Sequence, residues 1–428
     1  MGEEKFDVII VGAGLAGNTA AYLLASAGLE VLVIERGEIG TKNVTGGRMY
    51  SHSLERIFPN FAEEAPVERK IVKERISFMT EDGATTVEYA ADKLGEQGKA
   101  TYSILRSHFD PWLAGKAEEA GAMYVTGIRV DEVIKRDGKV CGVLAGDEEM
   151  LADVVLLADG VNSLLSQQLG LKKELSPSQT AVGVKEVIQL GEQLINDRFG
   201  VKDGEGAAWL FAGDPTGGNI GGGFLYTNKD TLSVGIVTTI ADIGHSSLAP
   251  RDMLERLKEH SLVKPLIAGG KPLEYSAHLV TEGGYDMVPT LFDDNVLVAG
   301  DAAALVINLG YTIRGMDLVI ESGRLAAETI IAAKKAGDFS KQTLSAYQTA
   351  LENSFVMKDL KHYRKMPHFI ENHRIFEQYP AMMNELMEGL FMMYGQEPVK
   401  LTKKAMTAVK KVGIGNLIKD GIKGLGAL

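Results

Sequence analysis

The chain has 428 residues, 45% hydrophobic and 24% charged, the balance of a soluble globular protein with room for two or three packed lobes. A net charge of −12 leaves no domain-wide basic footprint and argues against nucleic acid as the main partner. Cys141 is the single cysteine, so the chain can form neither an internal disulfide nor a four-thiolate iron–sulfur cluster, and a reducing compartment is expected.

The N-terminus, MGEEKFDVII, is acidic and enters a strand almost at once, unlike a secretion signal. Its apolar β-branched run at 7–11 (DVIIV) predicts a buried parallel strand. A glycine turn follows at 12–17 (GAGLAG), then a helix of small residues to about 27, then a second strand at 29–35 (LEVLVIE). Asp137-Gly138 between VDEVIK and KVCGVL predicts a hairpin, and 153–158 (DVVLLA) another buried strand ending in Asp159-Gly160. From 174 to 289 alternating segments such as AVGVKEVIQL and FLYTNKDTLSVGIV predict an antiparallel sheet with a turn at Asn228-Lys229-Asp230. The run 295–299 (NVLVA) returns to the buried parallel type and ends in Gly300-Asp301. A long helix is expected from about 314 to 336, its apolar face at Val319, Ile320, Gly323, Ala327 and Ile330. The last ninety residues are expected to be mostly helical. No apolar run approaches the roughly 18 residues that a membrane span needs.

These elements predict an α/β protein with a discontinuous Rossmann-like dinucleotide domain at 1–173 and 290–340. A β-rich lobe at 174–289 is inserted into it, and a helical region at 341–428 follows. Gly12 permits the tight turn, Gly14 admits a pyrophosphate to the backbone, and Gly17 lets the helix pack on the strand. Ala13, Leu15 and Ala16 complete the loop that aims helix N–H groups at phosphate. Glu35 closes the second strand 18 residues after Gly17, where a carboxylate accepts from ribose hydroxyls and repels a 2′-phosphate. A dinucleotide without that phosphate is expected.

Three later segments carry the choice of FAD: Leu105-Arg106, 157–160 (LADG), and 299–303 (AGDAA). At these points the sequence resembles the flavoprotein monooxygenase superfamily, which implies that the Gly300-Asp301 turn closes on the ribityl chain. It also implies a helix N-terminus facing the flavin, where its dipole stabilises negative charge on the reduced ring. Across 42–50 (KNVTGGRMY), 221–228 (GGGFLYTN), 269–284 (GGKPLEYSAHLVTEGG) and 299–318 (AGDAAALVINLGYTIRGMDL) the chain resembles the FixC group of the electron-transfer flavoprotein:quinone oxidoreductase family. The resemblance implies that Arg36, Gly46, Gly47, Arg106, Val130, Ala158, Asp159, Gly160, Gly300, Asp301, Gly310, Thr312 and Ile313 join the glycine turn in holding FAD.

The resemblance further implies that electrons arrive from an electron-transfer flavoprotein of the FixA and FixB type and leave to membrane menaquinone or ubiquinone. Larger relatives carry an iron–sulfur domain. For the lone cysteine here the resemblance implies a separate ferredoxin-like subunit of the FixX type in an electron-bifurcating complex. Geranylgeranyl reductases share the flavin segments and aromatic hydroxylases share Asp159-Gly160, so a prenyl-chain reductase is the alternative enzyme. A non-catalytic FAD-bearing anchoring subunit is the alternative of another class. Such electron transfer needs no nucleophile, metal or triad. Arg314, at the start of the long helix, is the one catalytic candidate, as a cation beside reduced flavin or else a solvated helix-terminal arginine.

Other features carry less. His362, His368 and His373 do not share a helix face and are not expected to bind metal. Cys141 is expected to be a buried small residue, and 213–223 (GDPTGGNIGGG) is either a loop near the flavin or a mobile turn. The Met-rich stretch 382–393 is either core or the wall of a quinone slot. Residues 400–428 hold seven lysines and one acid, Asp420. Leu401, Ala405, Ala408, Val409 and Val412 fall opposite Lys403, Lys404, Lys410 and Lys411, a pattern suited to an anionic membrane surface or to packing on the domain itself. A peripheral position on the cytoplasmic side of the membrane is expected.

Overall fold

A computed structural model describes residues 5–41, 47–393, 395 and 399–428. Its first sheet has eight strands. Lys5–Val11 runs parallel to Val31–Glu35 on one side and to Glu148–Leu157 on the other. Met123–Thr126 extends the first side and Val296–Val298 the second, both in parallel. Val31–Glu35, the second half of Glu148–Leu157 and Val296–Val298 are apolar and rich in β-branched residues because both faces of the sheet are covered there, while Met123–Thr126 at the edge is partly exposed. The chain leaves Lys5–Val11 toward one flank and returns on the other, so the sheet switches direction at that strand's carboxyl end. Open α/β sheets place ligands at such points. The expected hairpin joins Val130–Arg136 to Lys139–Ala145, with Asp137 and Gly138 both at positive φ, as a two-residue turn needs. Cys141 is half-buried in it, its Sγ 3.6 Å from the Ile134 carbonyl.

Two helices cross one face of the sheet, Leu15–Ser26 and Met316–Ala336. They touch closely because Gly323 has no side chain: a Cβ there would lie 2.4 Å from the Ala16 carbonyl oxygen.

The second sheet has nine strands and is larger than the 174–289 lobe that the alternation predicts. Thr180–Gln189, Glu205–Gly213, Gly221–Thr227, Thr231–Thr239 and Lys271–Thr281 supply one part. Arg48–Tyr50, Val67–Met79, Ala84–Ala90 and Thr101–Ile104 supply the rest, so this stretch of the expected nucleotide domain belongs to the other sheet. The seam is the parallel pairing of Glu205–Gly213 with Val67–Met79, pinned where Trp209 Nε1 donates to Ser77 Oγ at 2.8 Å. Fully buried Arg69 fixes one end by donating to the carbonyls of Asn228, Glu205 and Lys229 and to Asn196 Oδ1. The glycines at 213–223 serve this sheet. A Cβ at Gly221 would meet the Val237 carbonyl oxygen at 2.1 Å, and one at Gly222 the Phe211 carbonyl oxygen at 2.5 Å.

The C-terminal region is helical. Leu401–Val412 packs on Gln378–Phe391, burying Ala408 and Val412, so part of the apolar face in the basic tail is covered by the chain itself. Ile414–Leu425 follows, held where Arg374 makes two bonds to Asp420, at 2.7 and 2.8 Å, and Tyr379 a third. Among the described residues, no helix is long and apolar enough to cross a membrane.

Candidate functional site

A cavity of about 570 Å³ lies between the two sheets at the switch point. Of the residues expected to hold the cofactor, Gly12, Ala13, Gly14, Leu15, Ala16, Glu35, Arg36, Gly47, Arg106, Val130, Ala158, Asp159, Gly160, Gly300, Asp301 and Ile313 line it. Gly17, Gly310, Thr312 and Arg314 do not, and Gly46 lies outside the described residues.

The turn is built by close backbone contact. Val11 pairs with Leu157, which brings Gly12 so near Ala158 that a Cβ would sit 2.3 Å from its carbonyl oxygen, and Gly12 has φ +105°. A Cβ on Gly17 would lie 1.9 Å from the Gly12 carbonyl oxygen, so this glycine packs helix on strand. Gly14 differs. A Cβ there would meet nothing within 4 Å, because its backbone stands against the open cavity. Gly160, at φ +83°, is equally free. These bare backbones, with the N-terminus of Leu15–Ser26 behind them, form a cradle that fits a dinucleotide pyrophosphate.

Glu35 stands where the ribose reading needs it and also closes the turn: its Oε2 accepts from Ala13 N–H at 3.0 Å and its Oε1 from Gly37 N–H at 3.1 Å. Each oxygen keeps a lone pair for a ligand hydroxyl. Arg106 pairs with the buried Asp110, Nη2 to Oδ2 at 2.7 Å. Asp301 is open to the cavity but ringed by protein beyond it. Burial pushes its carboxyl up, against Arg106, His278 and Lys172.

Three residues carry no sequence signal, two of them buried behind this wall and one in it. Lys172 is buried with Nζ donating to the carbonyls of Val161, 2.9 Å, and Ala302, 3.1 Å. It thereby ties the Asp159 loop to the Gly300 turn, and burial lowers its pKa despite Asp159 and Asp301. Asn18, wholly buried, donates to the Ala13 and Asp110 carbonyls and accepts from Tyr124 Oη. Glu282 lines the cavity on the side of the second sheet.

That side is otherwise apolar and aromatic, with Ala181, Val237 and Val280 beside Phe224 and Tyr226. The two rings stack at 5.3 Å. Burial pushes Tyr226 up to about 12, which keeps it neutral. Gly315 and Met316 bring the N-terminal end of the long helix to the same cavity.

Arg314 stands outside the cavity lining. It lies in the short strand Ile313–Arg314 ahead of the helix. Its Nη2 is 2.6 Å from Asp317 Oδ2 and its Nη1 2.7 Å from Asp359 Oδ2. The anion that a cation at this place calls for is supplied by the protein, and the guanidinium stacks on Tyr50 and Phe355 outside the cavity lining. Thr312 bonds Tyr50 Oη at 2.7 Å instead of facing the cavity, and Gly310 is exposed. The 213–223 glycines and the methionines of 382–393 also fall outside the lining; Met393 is 88% exposed.

Residues 5–350 match the FAD binding domain model and 366–428 the ETF-QO/FixC family C-terminal domain. Over 100% of both chains, 52% of positions are identical to the probable electron transfer flavoprotein-quinone oxidoreductase YdiS of Escherichia coli. Protein FixC of Azotobacter vinelandii is 40% identical over 98% of each chain. A geranylgeranyl bacteriochlorophyll reductase-like protein from Thermoplasma acidophilum shares the fold, with a TM-score of 0.73 at 21% identity over 99% of this chain and 100% of that one. The chain thus belongs to the ETF-QO/FixC family, FAD-binding proteins of oxidoreductase type with a role in electron transfer.

Proposed function

We propose that this chain receives electrons from an electron-transfer flavoprotein of the FixA and FixB type and passes them through FAD to a quinone, as one subunit of an electron-bifurcating complex with a ferredoxin-like FixX-type partner. The observation that carries the reading is the two-ended cavity. A bare-backbone phosphate cradle lies at one end, and an apolar, aromatic wall beside a helix N-terminus lies at the other. Bound FAD supplies the electron storage. The protein's share is to hold it with the glycine turn, Glu35 and the Gly300-Asp301 turn, and to exclude water with Phe224, Tyr226, Val237 and Val280.

A quinone dissolved in lipid requires the protein to reach the membrane, and the C-terminal helix offers the means. Ile414, Ile418, Ile422 and Leu425 form one face of Ile414–Leu425 and are 47%, 58%, 67% and 81% exposed. Lys419 and Lys423 flank them, and Lys400, Lys403 and Lys410 lie exposed nearby. An apolar stripe rimmed by lysines suits an anionic membrane surface. The stripe falls one helix later than the sequence pattern suggests, because Leu401–Val412 turns much of its own apolar face inward.

The test is reconstitution. The FAD-loaded chain, mixed with reduced electron-transfer flavoprotein and a quinone, should form quinol. Failure to form quinol, with loss of double bonds from a polyprenyl substrate, would instead support the prenyl-reductase reading. A flavin inert in both assays would support the anchoring subunit.

A further inference from the structure

On the side of the second sheet the cavity holds a carboxyl group for which nucleotide binding has no use. Glu282 directly follows the edge strand Lys271–Thr281 and lines the cavity with Val306, Asn308 and Ile313. Its backbone is fixed on both sides. Glu282 N–H donates to the Gln179 carbonyl at 3.0 Å, and Gly284 N–H to the Val306 carbonyl at 2.9 Å. A Cβ on Gly283 would lie 2.2 Å from that same Val306 oxygen, so the loop cannot shift without loss of its packing. Asn308 turns its amide toward Glu282: its Oδ1 accepts from Gly310 N–H at 2.9 Å, which leaves the NH₂ to bond the Glu282 carboxyl.

Among the described residues Glu282 has no ion-pair partner within 4 Å and no cation bears on it, whereas Arg106 and Lys172 attract Asp301 and Lys172 attracts Asp159. The charges that bear on it are carboxylates, Glu371 and Asp242, with the Asn308 amide as the opposing influence. His278 lines the cavity on the same strand; burial and the cations Arg36 and Arg106 lower its pKa against Asp301, which keeps it neutral near pH 7. Burial, with those two carboxylates, pushes Glu282 up to about 7. A carboxyl group in that range both holds and releases a proton at the pH where the protein works.

We propose that Glu282 is the proton carrier of the cavity, giving its carboxyl proton to the quinone as it is reduced. The inference rests on the quinone reading above. Quinol formation needs two electrons and two protons. FAD, held and reduced in the cavity, would supply both electrons and one proton. Glu282 supplies the second: its O–H bond breaks as an O–H bond forms on the acceptor, and the carboxylate regains a proton from solvent.

The experiment compares FAD-loaded wild type with Glu282→Gln and Glu282→Asp, each reduced anaerobically and mixed with either a water-soluble short-chain quinone or ferricyanide, which takes electrons without protons. E282Q should slow reoxidation by quinone about 10²-fold, within the range of a general acid, and leave ferricyanide unaffected. The wild-type quinone rate should fall as pH rises through about 7, the fall should be absent in E282Q, and E282D should restore it in part. Infrared titration without any acceptor should show a protonated carboxyl band lost near neutral pH in wild type and missing in E282Q. A quinone rate and pH profile unchanged in E282Q, or no such band in wild type, overturns the proton carrier alone. A wild type that reduces ferricyanide but no quinone overturns the quinone reading and this step together.

Discussion

Gly14 and Gly17 sit three residues apart at the start of the helix Leu15–Ser26, and the structure assigns them opposite consequences on substitution. Gly14 has φ −83° and ψ −173°, extended backbone that any residue adopts, and a Cβ there meets nothing within 4 Å. Gly14→Val should therefore fold, losing roughly 1 kcal/mol because valine is a poorer N-cap than glycine. Its side chain projects into the space where the pyrophosphate must lie. Displacing a ligand group by three carbon atoms is an overpacking of about 1–3 kcal/mol, roughly a 5- to 150-fold rise in the Kd for FAD. Gly17→Ala adds one carbon 1.9 Å from the Gly12 carbonyl oxygen, a backbone clash that no rotamer relieves. It should lower the unfolding temperature or abolish soluble protein. The assay is flavin-to-protein ratio and FAD titration by fluorescence quenching, with thermal unfolding of each apoprotein. Wild-type FAD affinity in a folded G14V would refute the cradle. A G14V protein as damaged as G17A would mean that the loop is structural at both positions.

Four further outcomes are expected. Arg314→Ala should retain FAD yet lose about 3 kcal/mol of stability by denaturant unfolding, because it strips the buried Asp317 of its main cation; loss of FAD with unchanged stability would return Arg314 to the site. Glu282 has a folded pKa, about 7, above its ordinary 4.5, so the stability it contributes is present below about pH 4.5 and lost as pH rises through 7; the unfolding temperature of E282Q relative to wild type should rise between pH 5 and 8, and a constant difference would count against the shift. Rapid mixing of the isolated chain with NADH should leave the flavin oxidised, since one nucleotide turn is present and FAD takes it; fast bleaching would favour direct NADH oxidation. Removal of residues 413–428 should abolish binding to anionic liposomes at low salt, and Ile418→Glu should weaken it, by co-sedimentation; equal binding of all forms would mean that the stripe meets protein instead of lipid.

The nucleotide half of the fold is legible because its signals are local. The strand, glycine turn, helix and acidic residue of 7–35 fall within one unit, and each glycine's task follows from backbone geometry that no distant segment alters. The parallel strands near 155 and 297 are equally readable, since burial on both faces leaves an unbroken apolar run. The second sheet is legible only in part. Val67–Met79 carries four charged residues in its first seven and alternates only loosely. It is a strand because Glu205–Gly213, some 130 residues later, pairs with it, and the sequence does not record such partners.

The site residues that escaped the sequence share this non-local origin, and the physics explains why they are polar. Lys172 spans from one loop of the nucleotide sheet to the turn at Gly300, and Asn18 joins the first helix to the helix that carries Asp110. Each bridges a carbonyl group close in sequence and one on a distant segment, both buried where a hydrocarbon could not bond them. One long or branched donor satisfies two carbonyls at once, so the identity of the residue is set in part by an oxygen over 90 positions away. Arg314 illustrates the reverse case. Its charge at a helix entrance points correctly to a nearby anion, but sequence order cannot say whether that anion is a ligand or Asp359 folding back from the next helices. Glu282 is the complementary case: an acid in a glycine-rich turn reads as solvated, and it becomes a candidate proton carrier only because the loops at 179 and 306 close around it.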